Sequence, residues 1–111
     1  MSNAAAAIDR QVDAYNARDI DAFAACYADD LVIVDAGGAE QTRGRTQLVE
    51  QYGAWFARNP KLHADVVSRI EIDGYVIDAE LVTGTPEGDI QAVAIYHVGD
   101  DGLIDRVQFL P

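Results

Sequence analysis

Asp35 closes an apolar run, Leu31-Val32-Ile33-Val34-Asp35, directly ahead of Ala36-Gly37-Gly38. Strand side chains alternate between faces, so Leu31, Ile33 and Asp35 share one side and Val32 and Val34 the other. An apolar neighbourhood disfavours the ionised carboxylate and raises its pKa, which suits a general base working near neutral pH. The same residue also reads as turn chemistry, because Asp ahead of Gly is a common turn signal. Gln11 and Tyr15 stand one helical turn apart and can look into one cavity, although Tyr15 can equally be packed in a core with its hydroxyl at the edge. Trp55 and Phe56 lie beside the break at Pro60, where a pocket mouth could form; Tyr27 and Tyr52 read mainly as core.

Other chemistries find little support. Two histidines far apart, His63 and His97, and the single Cys26 offer no metal-ligand spacing, and one cysteine cannot form an internal disulfide. Cys26 reads as a small buried hydrophobe and His63 as a surface histidine. Gly84 to Asp89 lacks a phosphate-cradling pattern. No cofactor and no metal are expected. Eight Lys and Arg against 19 Asp and Glu leave a net charge of −11, which argues against nucleic acid or an anionic membrane as partner. No apolar stretch approaches the length of a membrane span, and Ala4–Ala7 lacks the basic flank of a signal peptide. A soluble, cytoplasmic protein is the default expectation.

The elements that must position these residues follow from periodicity. Residues 1–111 read as one domain, with half its residues hydrophobic. Ala4 to Ala17 is alanine-rich, with Ile8, Val12 and Tyr15 at helical spacing. Asp19 caps a second helix, Ile20 to Ala28, whose stripe is Ile20, Phe23, Ala24 and Tyr27. A third runs from Thr46 to Ala57 and stops at Asn59-Pro60. From Leu62 the period falls to two. Strands are expected over 62–73, 75–83, 90–98 and 103–110, with Asp73-Gly74 as the clearest hairpin turn. Charges on these strands (Arg69, Glu71, Asp78, Glu80, Asp105, Arg106) read as cross-strand ion pairs on a solvent-facing or dimer-facing side. Tyr96 and His97, being adjacent, face opposite sides.

The strings Tyr15-Asn16-Ala17-Arg18-Asp19-Ile20-Asp21 and Tyr27-Ala28-Asp29-Asp30, the strand ending at Asp35, Gly44-Arg45 ahead of the third helix, and Gly102-Leu103-Ile104-Asp105-Arg106-Val107 together resemble the superfamily of nuclear transport factor 2 and ketosteroid isomerase. Within it the chain is most similar to small SnoaL-like proteins. The resemblance implies an α+β fold: a cone-shaped half-barrel with three helices packed in a strongly curved, mostly antiparallel sheet. It also places Asp35, following Ala28-Asp29-Asp30, at the isomerase base position. The isomerase oxyanion hole, a helix tyrosine and a protonated strand acid, falls here on Gln11 and Tyr96.

The expectation is therefore proton abstraction next to a carbonyl in an apolar pocket. Asp35 is the base, Tyr96 the oxygen donor helped by Gln11 or Tyr15, and Trp55 and Phe56 complete the substrate-binding set. The partner expected is a small apolar carbonyl compound. A second copy of the chain is expected over the outer sheet, where Val66, Ile70 and Val93 alternate. The alternatives are a non-catalytic ligand-binding or dimeric interaction domain, or a dehydratase-, cyclase- or epoxide hydrolase-like activity. An epoxide hydrolase site needs an Arg bracketed by two acids, to which Arg69-Ile70-Glu71 comes nearest.

Overall fold

A computed structural model describes residues 4–111. The elements are α1 (Ala4–Ala17), α2 (Ile20–Ala25), β1 (Tyr27–Val34), β2 (Glu40–Arg43), α3 (Gly44–Arg58), β3 (His63–Ile72), β4 (Tyr75–Thr83), β5 (Ile90–Val98) and β6 (Ile104–Leu110). Three helices pack against a curved, open, mixed sheet of six strands in the order β2-β1-β6-β5-β4-β3. Only β1 and β6 run parallel; the other neighbours are antiparallel. The α+β architecture expected from the sequence is the one found.

Local rules account for most boundaries. On α1, Ala4, Ala7, Ile8, Gln11 and Ala14 are buried at the three-and-four spacing of one helical face. Asp19 caps α2, its carboxylate accepting from the Ala22 N–H at 3.1 Å. α2 stops at Ala25, short of the expected Ala28, and Tyr27 belongs to a strand. The cause is tertiary. The Cys26 carbonyl accepts from the Ile104 N–H at 2.9 Å, and Arg45 holds the Tyr27 carbonyl at 2.7 Å and Asp29 at 2.9 Å. These partners draw the chain into the sheet one turn early.

The Asp73-Gly74 turn sets the register of β3 on β4. Both residues have positive φ (42° and 81°), as a tight two-residue hairpin requires. Counting back from it, Ile72 faces Tyr75, Ile70 faces Ile77 and Arg69 faces Asp78. A bulge then inserts Val67, so Val66 lies opposite Glu80 on the helix-facing side. Val66 is thus not on the outer face; Val67, Ile70, Ile72 and Tyr75 are, and all are exposed. Inside, Phe23 anchors an aromatic cluster with ring centroids 5.0 Å from Tyr27, 4.9 Å from Tyr52 and 5.5 Å from Phe56.

Gly84 ends β4 at positive φ (84°), where an added Cβ would sit 2.0 Å from the Lys61 carbonyl oxygen. No L side chain fits without moving backbone. Gly84→Ala is expected to lower unfolding free energy by about 2 kcal/mol or more, read as a lower urea midpoint; an unchanged midpoint would refute this close approach.

Candidate functional site

Between the helices and the inner face of the sheet lies a cavity of about 520 Å³. It has the size and apolar wall typical of small-molecule sites. α1 contributes Gln11 and Tyr15, α2 Phe23, β1 Tyr27 and Ile33, α3 Tyr52, Trp55 and Arg58, and the late strands Glu80, Val82, Tyr96 and Phe109.

The expected residues distribute unevenly. Gln11, Tyr15, Asp35, Trp55 and Tyr96 all line the cavity. Phe56 does not: it is buried behind the wall, 5.3 Å from the Tyr15 ring and 5.5 Å from Phe23. Adjacent helical residues point about 100° apart, so with Tyr52 and Trp55 facing the cavity Phe56 turns into the core. Tyr27 and Tyr52, read as core, line the cavity as well.

Asp35 is half-buried at the end of β1, and its oxygens are occupied. Oδ1 accepts from the N–H groups of Gly37 (3.0 Å) and Ala39 (2.9 Å), and Oδ2 from Gln41 Nε2 at 3.2 Å. Gln41 is the extra residue of a bulge in the β1–β2 pairing, which aims its amide at the acid. The turn reading and the wall reading of Asp35 thus both hold geometrically.

A second acid lining the cavity is Glu80, which the sequence pattern placed among outward charges. Glu80 lies on the inner face of β4, in step with Val76, Asp78 and Val82, and opposite Val66 and Ala92. Its Oε2 accepts from the Tyr96 hydroxyl at 3.0 Å, while among the described residues Oε1 has no bonded partner. Burial pushes the Glu80 carboxyl up to about 7; the Tyr96 hydrogen bond opposes this, the nearby Asp78 adds to it and Arg69 opposes it. A carboxyl with its midpoint near neutrality in a largely apolar cavity can both take and return a proton.

Tyr96 is buried, and its proton is the one held by Glu80, so here it positions the acid. Tyr27 donates to Gln11 Oε1 at 3.2 Å. Trp55 Nε1 donates to the Tyr15 hydroxyl oxygen at 3.0 Å. Burial raises the pKa of all four phenols, which therefore remain donors at neutral pH. At the mouth, the Arg58 guanidinium sits 5.9 Å from the Trp55 ring centroid.

An arginine between two acids does exist, but with other partners than the sequence suggested. Arg69 makes two bonds to Asp78 (2.7 and 3.0 Å) and one to Asp9 (2.7 Å), while Glu71 is exposed and outside this group. None of Asp9, Arg69 and Asp78 is among the residues lining the cavity. His97 faces the other side of the sheet, its Nδ1 2.6 Å from Asp105 and its ring 4.7 Å from Tyr75. Among the described residues no helix is long and apolar enough to cross a membrane.

A family model described as SnoaL-like domain matches residues 8–107. An uncharacterised cystatin-fold protein from Novosphingobium aromaticivorans is 28% identical, with a TM-score of 0.90 over 100% of this chain and 99% of its own. A protein from Kribbella flavida provisionally named a ketosteroid isomerase has 19% identity and a TM-score of 0.84, covering 97% of this chain and 76% of its own. One from Sinorhizobium meliloti provisionally named a polyketide cyclase has 20% identity and a TM-score of 0.79, covering 93% and 92%. The last two likenesses concern the fold. No curated protein matches the chain.

The raised Glu80 pKa has a thermodynamic counterpart. The folded value, about 7, lies above the ordinary 4.5, so the native state holds the proton more tightly than the unfolded chain. The stability linked to Glu80 is complete below about pH 4.5 and falls as pH rises through about 7. Glu80→Gln removes that fall: its advantage over wild type in urea unfolding should grow by about 1–3 kcal/mol between acid and mildly alkaline pH. Parallel pH profiles for the two proteins would contradict the assignment.

Proposed function

The chain belongs to the SnoaL-like domain family, and on that footing we propose that it is an acid–base enzyme that moves a proton next to the carbonyl of a small, mostly apolar compound. The observation that carries this reading is the Glu80 carboxyl, set in the cavity with a midpoint near neutrality, one oxygen held by Tyr96 and the other uncommitted among the described residues. Oε1 of the carboxylate takes the proton. The C–H electron pair forms a carbon–carbon double bond and the carbonyl π pair moves onto oxygen, giving an enolate. Returning the proton to the same carbon gives exchange. Where a carbon–carbon double bond adjoins the enolate, its π pair takes the proton from Glu80 at the far carbon, the double bond moves into conjugation with the re-formed carbonyl, and an isomerisation is complete. The names borne by two fold neighbours, ketosteroid isomerase and polyketide cyclase, both belong to carbonyl chemistry.

Asp35 is the base the sequence points to, and in this proposal it yields that role to Glu80. Three hydrogen bonds tie Asp35 to its own turn and to Gln41, whereas Glu80 has one oxygen without a bonded partner among the described residues. Tyr96 likewise acts on Glu80 rather than on the carbonyl oxygen. A second copy of this chain is the proposed partner on the outer sheet, where Val67, Ile70 and Ile72 are 71%, 59% and 60% exposed.

Exchange of the acidic C–H of cyclic ketones for deuterium, followed by proton NMR, tests the chemistry. Catalysed exchange should rise with pH through about 7, as the Glu80 carboxylate forms. Glu80→Gln should lower it by about 10²–10⁴-fold and Asp35→Asn by much less. Loss in Asp35→Asn with retention in Glu80→Gln would return the base role to Asp35. Sedimentation velocity tests the partner: wild type should run as a dimer and Ile70→Asp as a monomer, and a monomeric wild type would dismiss it.

A further inference from the structure

A carboxylate drawn out of water calls for a cation, and the cavity supplies none beside Glu80. Glu80 is half-buried, with Oε2 on the Tyr96 hydroxyl and, among the described residues, no bonded partner for Oε1. Arg69, whose charge reaches it, is committed to Asp78 and Asp9. Among the described residues lining the cavity the only basic one is Arg58, which is exposed at the mouth and is not among the charges acting on Glu80. Phenols surround the acid instead. The Glu80 charge reaches Tyr15 on α1, Tyr27 on β1, Tyr52 on α3 and Tyr96 on β5. Trp55 and Phe109 extend this aromatic wall.

We propose that the cavity binds a small alkylammonium ion, its charged head beside Oε1 of Glu80 and its alkyl groups against the phenol rings. Such an ion is apolar in outline and positive at its centre. It therefore suits a largely aromatic wall that carries one uncommitted carboxylate oxygen. Rings within about 6 Å of a cation attract it through their electron-rich faces, most strongly where water is excluded. The Arg58 guanidinium, 5.9 Å from the Trp55 ring centroid, is a cation that this wall already holds at its mouth. The net charge of −11 draws further cations toward the protein. An anion would meet the opposite, because the other charged residues lining the cavity, Asp35 and Glu80, are both acids. This inference goes beyond the carbonyl reading: it shares Glu80 with it but requires no C–H acid.

The probe is choline, compared by isothermal titration calorimetry with 3,3-dimethyl-1-butanol, which has the same shape and hydroxyl but carbon in place of the charged nitrogen. At about pH 8 wild type should bind choline about ten- to a hundredfold more tightly than this neutral isostere. Choline keeps its charge at every pH, so any pH dependence belongs to the protein. The four phenols stay protonated, Asp78 stays paired with Arg69, and neither histidine lines the cavity. With a Glu80 midpoint of about 7, choline should bind about tenfold more weakly at about pH 6, and the isostere equally at both. Glu80→Gln should bind choline about tenfold more weakly at about pH 8 and lose the pH dependence, with its affinity for the isostere within about threefold of wild type. A glutamine oxygen still accepts from Tyr96, so the fold is kept. Asp35→Asn should stay within about threefold of wild type for choline and keep the pH dependence.

No choline binding, equal affinity for choline and the isostere, or wild-type choline affinity in Glu80→Gln would overturn the inference. Loss of the choline preference in Asp35→Asn with its retention in Glu80→Gln would do the same. Choline binding through Glu80 without any ketone exchange would instead defeat the carbonyl reading and leave this one standing. Ketone exchange without choline binding would defeat this one alone.

Discussion

A carboxylate wholly removed from water must be paired, and Asp78 is fully buried between the sheet and α1. Its two oxygens are met by Arg69 from the neighbouring strand, in the two-pronged geometry that guanidinium and carboxylate share. Leaving either partner alone would cost about 3–5 kcal/mol, so any register other than the observed one is heavily disfavoured. A one-residue slip of β3 on β4 would turn Arg69 outward and strand Asp78. Everything at the site follows from that alignment. Glu80, two residues along β4, then faces the cavity, and Asp9 completes the clamp by tying α1 to the sheet through the same guanidinium.

The second constraint is aromatic. Phe23 gathers Tyr27, Tyr52 and Phe56 around it, and three elements meet at that point. Rings this close bind the helices to the sheet, and Tyr27 and Tyr52 line the cavity as well. A wall of phenols is apolar enough to desolvate an acid and still supplies donors at its rim. The cavity therefore raises the Glu80 pKa with the same side chains that hold the helices to the sheet.

Much of the fold was legible. Alanine content, the Asp19 cap and the Asp73-Gly74 turn are local signals, and local signals located α1, the start of α2 and the β3–β4 hairpin. The end of α2 was not local, because Tyr27 is drawn into the sheet by Ile104 and Arg45, far along the chain. Glu80 was misread for a different reason. Val76, Asp78, Glu80 and Val82 alternate with Ile77, Ala79 and Leu81, so both faces of β4 carry apolar residues and period two cannot choose between them. The turn did hold a clue: counting back from Asp73-Gly74 pairs Arg69 with Asp78, and an Arg needed by a buried acid marks the inner side. The bulge at Val67 was invisible, and it moved Val66 from the expected outer face to the inner one. Asp35 was found because resemblance and turn chemistry converge on it, while the bonds that occupy its oxygens belong to the bulge at Gln41.

The parallel pairing of β1 with β6 has a consequence for how the molecule comes together. β6 is the last strand in chain order but sits in the middle of the sheet, with β1–β2 on one side and β5–β4–β3 on the other. The two flanks never touch each other through strand bonds. Each can form a hairpin or meander early, from neighbours in sequence, yet they remain separate half-sheets until β6 slots between them. Contacts of such long sequence separation slow assembly, because loop-closure entropy must be met before they can form. The wall of the cavity is divided along the same seam: Ile33 lies on one flank, Glu80 and Tyr96 on the other, and Phe109 on β6 itself. A folding intermediate lacking β6 would hold both halves of the pocket and no pocket.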